Sequence, residues 1–454
     1  MSNNRASTVY LLMNTVTSLA SSLIFTTYSI YYITQLGLTP LQLVLIGTAL
    51  ELTVLLFEGI TGVVADTYSR KRSIVIGMFI LGAAFLFEGS IVWILDWSSI
   101  LPAFGWLLMS QMLYGFGWTF VSGANTAWLV DETGEAAAGA VMLRGQRFAL
   151  AASLIGILCS VLLSQLSPNL PFLVGGVLYL LLGLLLSRLM RETGFVRPQR
   201  AAAARSNPLR DMAGTWTAGA KVVRRSPLLL GLVAVTLLSG AASEGYDRLW
   251  PTLLLSGGGT GLPDVGWPPA VWFGAIAASI TLLSLAGVRL AERRVDMRSR
   301  RAVSAALLLT MALRVAAVIA LALASSFGWA FAALLLAGTA SAVFSPLYAA
   351  WLNSQLESRT RATVLSMVSQ ADALGQTAGG PFVGWIGSRF SIRAALLASG
   401  VLLLPVLGLF ARMRSAQPRD GTVPEEAPAD LSGQLSCADR KPAADSRVSD
   451  PDGD

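Results

Sequence analysis

The chain has 454 residues, 54% of them hydrophobic and 13% charged, with a mean hydropathy of +0.63. A soluble domain carries about 25% charged residues, so most of this chain avoids water, and a soluble helical bundle is excluded for want of a polar shell. With no histidine, Ser-His-Asp and Cys-His nucleophile pairs, His-ligated zinc and HxxxD acyl transfer are excluded as well. The net charge of +7 does not point to nucleic acid, because the basic residues are scattered through short loops between apolar runs.

A helix needs about 20 apolar residues to cross a bilayer. Runs of that size are expected at 10–33, 42–65, 73–95, 101–130, 148–166, 170–190, 227–255, 269–291, 302–324, 328–352, 364–387 and 391–411. The first run is too long for a signal-peptide core and is expected to be retained. It carries Asn14, Thr15, Thr17, Ser18, Ser21, Ser22, Thr26, Thr27 and Tyr28, a polar load that suits helix contacts or a cavity wall better than lipid.

Ionisable residues inside such runs are costly and mark candidate functional positions. The second run has Glu51 and Glu58, seven residues apart and so on one helix face. The third has Glu88, and the fourth has Gln111, Tyr114 and Trp118. Asp131, Glu132, Arg144 and Arg147 flank the next loop and are expected to form a charge network at the cytoplasmic face. Cys159 in the fifth run and the distant Cys437 suggest neither a disulfide nor a metal site. Residues 191–226 are Arg-rich and hold Pro198 and Pro208. They are either an ordinary linker or, over 208–225, a short membrane-face helix with Met212, Trp216 and Val222 or Val223 toward lipid.

The seventh run contains Glu244, Tyr246, Asp247, Arg248 and Trp250. Glu244 and Arg248 are four apart and positioned to neutralise each other. Arg314 in the ninth run needs an acidic partner, for which Asp372 and Glu51 are both candidates. The eleventh run has Asp372 with Gln376 one turn on, followed by a Gly- and Pro-rich stretch from Gly375 to Gly384. Residues 413–454 are rich in Pro, Ala, Ser and Asp and are expected to form a disordered tail.

A carboxylate kept from water tends to hold its proton to higher pH. Without histidine, a proton relay must run on Asp and Glu, and Glu51, Glu58, Glu88 and Asp372 are the candidates, Glu51 first. Orientation follows from loop charge. With the N-terminus inside, cytoplasmic segments hold 24 Lys and Arg, while the outer loops hold two, Arg389 and Arg393. Both termini are then cytoplasmic.

Thr126-Ala127-Trp128-Leu129-Val130-Asp131 ends the fourth run, and Ala349-Ala350-Trp351-Leu352-Asn353-Ser354 ends the tenth, 223 residues later. A duplicated six-helix half accounts for the spacing. The expected fold is an all-α membrane protein of twelve transmembrane helices in two pseudo-symmetric bundles. It comprises an N-terminal bundle (1–190), a linker (191–226), a C-terminal bundle (227–412) and a tail (413–454).

After the second run comes Gly62-Val63-Val64-Ala65-Asp66-Thr67-Tyr68-Ser69-Arg70-Lys71-Arg72. This resembles the loop 2–3 signature of the major facilitator superfamily, and the resemblance covers residues 8–412 through topology, signature and repeat. It implies a gating role for Gly62, Asp66, Arg70, Lys71 and Arg72, with Asp66 meeting the start of helix eleven near Thr363 to Ser366. It also implies a cavity lined by helices one, four, seven and ten. The cavity candidates are then Gln111, Tyr114, Trp118, Glu244, Tyr246, Asp247, Arg248, Arg314 and Gln376. Ser243 to Trp250 looks like the macrolide- and tetracycline-efflux branch. Gln111 stands where drug antiporters carry Arg, and Ala149 to Leu166 lacks their proline.

The resemblance implies a monomeric secondary transporter of the bacterial inner membrane, with a small-molecule substrate and protons as partners. It would not be an enzyme and would use no cofactor. No Walker loop is present, so ATP is not expected to drive it. Aromatic, thinly polar walls suit hydrophobic or cationic molecules, as in antibiotic efflux. Uptake of a nutrient on the same scaffold is the alternative.

Overall fold

The computed structural model describes residues 2–194, 224, 227–257, 259–296, 299–355 and 361–415. The expected membrane-face helix, apart from Arg224, and the tail from 416 onward with Cys437 lie outside the described residues.

Helix α1 (Ser2–Phe25) continues through a short turn (Tyr28–Ile30) into a π-helical turn (Tyr31–Gln35). Then follow α2 (Pro40–Thr67), α3 (Arg70–Trp97), α4 (Ala103–Val121, resumed as Ala124–Thr133), α5 (Glu135–Leu166) and α6 (Leu170–Leu189). The second series is α7 (Pro227–Leu255), α8 (Pro269–Arg294), α9 (Arg300–Ala322), α10 (Phe327–Gln355), α11 (Arg361–Arg389) and α12 (Ile392–Ser415). Ten of these segments are long and apolar enough to cross a membrane. α4 and α11, which carry Gln111 and the Asp372–Gln376 pair, are not among them.

Three boundaries differ from the sequence expectation. α4 breaks at Ser122-Gly123, where Gly123 adopts φ 75°, a backbone region open mainly to glycine. α5 begins at Glu135 rather than 148, because Ala-rich chain continues the helix past the apolar run. Arg144 and Arg147 therefore sit on helix, not loop. α1 is interrupted by a π turn, closed by Leu36 N–H donating to the Tyr31 carbonyl at 3.1 Å.

Helix pairing repeats with an offset of six. α1 packs on α5 and α6, as α7 packs on α11 and α12. α3 packs on α4 and α6, as α9 packs on α10 and α12. α2 meets α4, as α8 meets α10. Across the two series, α2 meets α11 and α7, and α5 meets α8.

Glycines set the closest approaches. Gly82 and Gly176 each place a carbonyl 2.9 Å from where a Cβ on the other would sit, joining α3 to α6. In α11 they meet both α7 and α2. A Cβ on Gly375 would overlap the Leu237 carbonyl of α7, while Gly380 and Gly384 face Val44 of α2 at 3.1 and 3.0 Å. Small residues let backbones approach where lipid offers no hydrophobic drive.

Candidate functional site

One end of the bundle, termed the basic end, carries the basic loops. The contacts between the two helix series concentrate toward the other end. There Pro40 of α2 lies near Gly387 of α11, and the Leu41 N–H donates to Ser388 Oγ at 3.0 Å. Val161 of α5 fills the space over Gly274 of α8. Ile30 packs with Ala270 and Phe273, and Phe273 stacks on Trp250 with ring centroids 5.4 Å apart. Tyr28 Oη donates to the Asp247 carbonyl at 3.0 Å.

Toward the basic end the described positions on these helices are open. A Cβ at Gly62 or Gly139 would meet nothing within 4 Å. Asp66 has 70% of its side chain exposed and pairs with Arg70 at 3.5 Å. Ser366 and Ser369 of α11 are exposed.

The Glu244–Arg248 pair lies at the seam between the series. Arg248 Nε donates to Glu244 Oε1 at 2.9 Å, and both side chains are largely buried. Gly47 of α2 makes this possible. A Cβ there would overlap Glu244 Oε1 and come within 2.8 Å of Arg248 Nε.

Around this pair the structure collects several of the singled-out charges. Glu51 is half-buried and within electrostatic reach of Glu244, Asp372, Arg248 and Glu58. Asp247 is exposed and within reach of Arg314, Glu244, Arg248 and Asp372. Those neighbours converge from α7, α9 and α11, so Asp247 opens onto the space between helices. Arg314 meets the field of Asp247 and of Asp372. Gln376 Nε2 donates to Asp372 Oδ2 at 3.0 Å. Tyr246 is half-buried beside Asp247 and Arg314. Tyr114 packs on Phe25 and Phe85, and Trp118 is 41% exposed.

Glu88 and Gln111 form a separate cluster. Both are buried, Glu88 with no exposed surface. Its carboxyl contacts Tyr32 Oη, Ser110 Oγ at 2.8 Å and Gln111 Nε2 at 3.0 Å. Gln111, expected to line a cavity, is instead bound into this cluster because its amide satisfies the buried acid. Glu58 accepts from Ser122 Oγ at 3.4 Å, at the break in α4.

The expected cytoplasmic network takes a different form. Arg70 bonds Asp131 and the Ala127 carbonyl, the latter at 2.8 Å. Glu132 accepts from Thr193 N and Gly194 N at 2.6 and 2.8 Å. Arg144 and Arg147 are exposed on α5 and join none of the ion pairs among the described residues. Lys71 and Arg72 contribute backbone at the start of α3, where Ser69 accepts from Arg72 N at 3.1 Å.

Sequence reasoning passed over Glu192, which accepts from Ser69 Oγ and from the Arg70 and Lys71 amides at 2.6, 2.7 and 3.2 Å. An acid over a helix N-terminus complements the positive end of the macrodipole. Gly47 and Tyr32 were also missed. The Tyr28-Tyr31-Tyr32 run in an otherwise hydroxyl-rich segment was the available signal for the second.

The family model of the Major Facilitator Superfamily matches residues 10–314 and 263–446. A Bacillus subtilis (strain 168) protein described as the uncharacterized MFS-type transporter YxaM is 24% identical over 390 residues, 85% of this chain and 90% of its own. Among solved structures, the nucleoside transporter NupG superposes with a TM-score of 0.69 at 12% identity, covering 91% of this chain and 100% of that one. An inward-facing, unoccupied bacterial homolog of the human lysosomal transporter Spinster gives 0.67 at 15% identity, covering 91% and 97%. With its twelve-segment pairing, its charged seam and a family match over most of its length, the chain is a membrane transporter belonging to the major facilitator superfamily.

Proposed function

We propose that the protein is a secondary transporter that exports a hydrophobic or cationic small molecule in exchange for protons, by alternating access. The observation that carries this reading is the charge balance of the seam. Arg248 is engaged by Glu244, Arg314 meets both Asp247 and Asp372, and Glu51 adds a further carboxyl within reach of Asp372. Surplus carboxyls within a membrane-spanning bundle favour binding of a cation or of protons. Competition between the two for the same groups couples their movements.

In this reading all twelve helices span the inner membrane and both termini are cytoplasmic, as loop charge requires. The basic end then faces the cytoplasm, and the seam packed around Val44, Gly47, Gly380 and Gly384 closes the outer side. Asp66 and Arg70 act in the opposite state, when the basic end closes against α11. The halves are 1–190 and 227–412, joined by 191–226, and the protein acts as a monomer.

The test is accumulation of a panel of lipophilic cations and antibiotics in bacteria lacking their own pumps, with and without an uncoupler. Export by this protein lowers accumulation, and the uncoupler restores it. Raised accumulation on expression would establish uptake and overturn the export reading.

A further inference from the structure

The buried cluster around Glu88 lies apart from the charged seam, and its hydrogen bonds fit two protonation states. Ser110 Oγ sits 2.8 Å from Glu88 Oε2 and 3.1 Å from the Ala84 carbonyl, but a hydroxyl has one proton to give. If Glu88 is ionised, Ser110 donates to it and the Ala84 carbonyl forgoes that bond. If Glu88 is protonated on Oε2, the acid donates to Ser110 and Ser110 donates to Ala84.

The remaining bonds suit the protonated form equally well. Gln111 Nε2 has two protons, one for Oε2 at 3.0 Å and one for Tyr32 Oη at 3.2 Å. Tyr32 Oη donates to Oε1. Every polar atom named is then satisfied.

No cation sits in ion-pair range of Glu88 among the described residues. The charged side chain that reaches it electrostatically is Arg248 of α7, already paired with Glu244. α1 contributes Tyr31 and Tyr32, α4 contributes Ser110 and Gln111, and α6 closes the site with Phe172, 5.1 and 5.9 Å from the two tyrosine rings. A buried carboxylate without a countercharge is far costlier than the neutral acid.

The cluster is also tied to the state of the seam. Tyr31 Oη donates to the Glu88 carbonyl at 2.9 Å while its neighbour Tyr32 holds the carboxyl. Consecutive residues of an α-helix point about 100° apart; here they occupy the π turn. Just before that turn, Tyr28 donates to the Asp247 carbonyl and Ile30 packs against Phe273. Opening the seam removes both supports.

We propose that Glu88 is an occluded proton-binding site, protonated while the end opposite the basic end is closed and deprotonated when that end opens and the Tyr31–Gln35 turn lets go. On release the Oε2–H bond breaks, the proton passes to water admitted by the opening, and Ser110 turns its hydroxyl from Ala84 to the carboxylate. A proton released at that end does not travel inward, so Glu88 is a state-linked proton site and not the carrier of the exchanged proton; its test is independent of the exchange reading above.

The test is infrared spectroscopy of the full-length protein in lipid at neutral pH, reading the C=O stretch of protonated carboxylic acids. Glu88→Gln should remove one acid band. Tyr32→Phe, which keeps the fold's ring packing, should move that band to higher frequency by freeing the carbonyl oxygen. Gly47→Ala should diminish the band, provided a Val44→Cys reporter shows the seam open. An acid band unchanged by both Glu88→Gln and Tyr32→Phe would overturn the proposal. A Glu88 band that persists with the seam open would overturn the release step. An intact Glu88 response with failed export would overturn the export reading alone.

Discussion

Glu244 and Arg248 illustrate what a four-residue spacing does and does not convey. Their mutual neutralisation was legible from the sequence. Their place against Gly47 was not, because a glycine in α2 carries no mark of which side chain will fill its gap. Glu244→Gln leaves Arg248 buried beside a neutral partner, and breaking a buried pair in this way costs about 3–5 kcal/mol. The expected outcome is a lower denaturation midpoint in lipid or detergent. Glu244→Gln with Arg248→Met should regain much of the loss, since no unpaired charge then remains. Arg314 shows the complementary limit: two acidic partners were open to it in the sequence, and folding brings the fields of Asp247 and Asp372 to bear on it. Glu51, the first of the proton candidates, lies half-buried within reach of Glu244 and Asp372. Glu51→Gln should therefore weaken the dependence of transport on an imposed pH gradient. Unchanged dependence would remove Glu51 from the coupling scheme.

Elements were legible where apolar length was the signal and obscure where helices continue or break for other reasons. The break of α4 depends on the positive φ of Gly123, and the early start of α5 on alanine propensity beyond the membrane. The π turn of α1 follows from tertiary contacts of Tyr31 and Tyr32 with α3, which no local pattern encodes. In α11 the Gly- and Pro-rich stretch was expected to pack tightly, and the structure sets Gly375 and Gly379 against α7, Gly384 against α2, and Gly380 against both. Gly375→Ala would set a methyl group onto the Leu237 carbonyl, so α7 and α11 cannot pack unchanged. Its yield of monodisperse protein on size-exclusion chromatography should fall sharply. Gly62→Ala has open space and should leave that yield at the parent level. Equal behaviour of the two variants would contradict this contrast between a crowded and an open glycine.

The whole molecule is a pair of helix series that meet through α2–α11, α2–α7 and α5–α8. In the proposed cycle those contacts concentrate at one end at a time. In the Gly62 to Arg72 signature, read from sequence as a gate, Arg70 is held by Asp131 in this state while Asp66 is exposed. The state itself was not legible, because one sequence must encode both. Asp66→Asn is expected to weaken closure of the basic end and to raise labelling of a Ser366→Cys reporter.

The most direct measurement places reporters at both ends, in a background with Cys159 and Cys437 replaced by serine. Val44→Cys reads the packed seam, where Val44 is fully buried, and Ser366→Cys reads the exposed basic end. Gly47→Ala denies the Glu244–Arg248 pair its seat without touching the basic end. Alternating access predicts that this one change raises labelling at Val44→Cys and lowers it at Ser366→Cys. A rise at the first with no fall at the second would mean that the seam merely loosens, and would contradict the account.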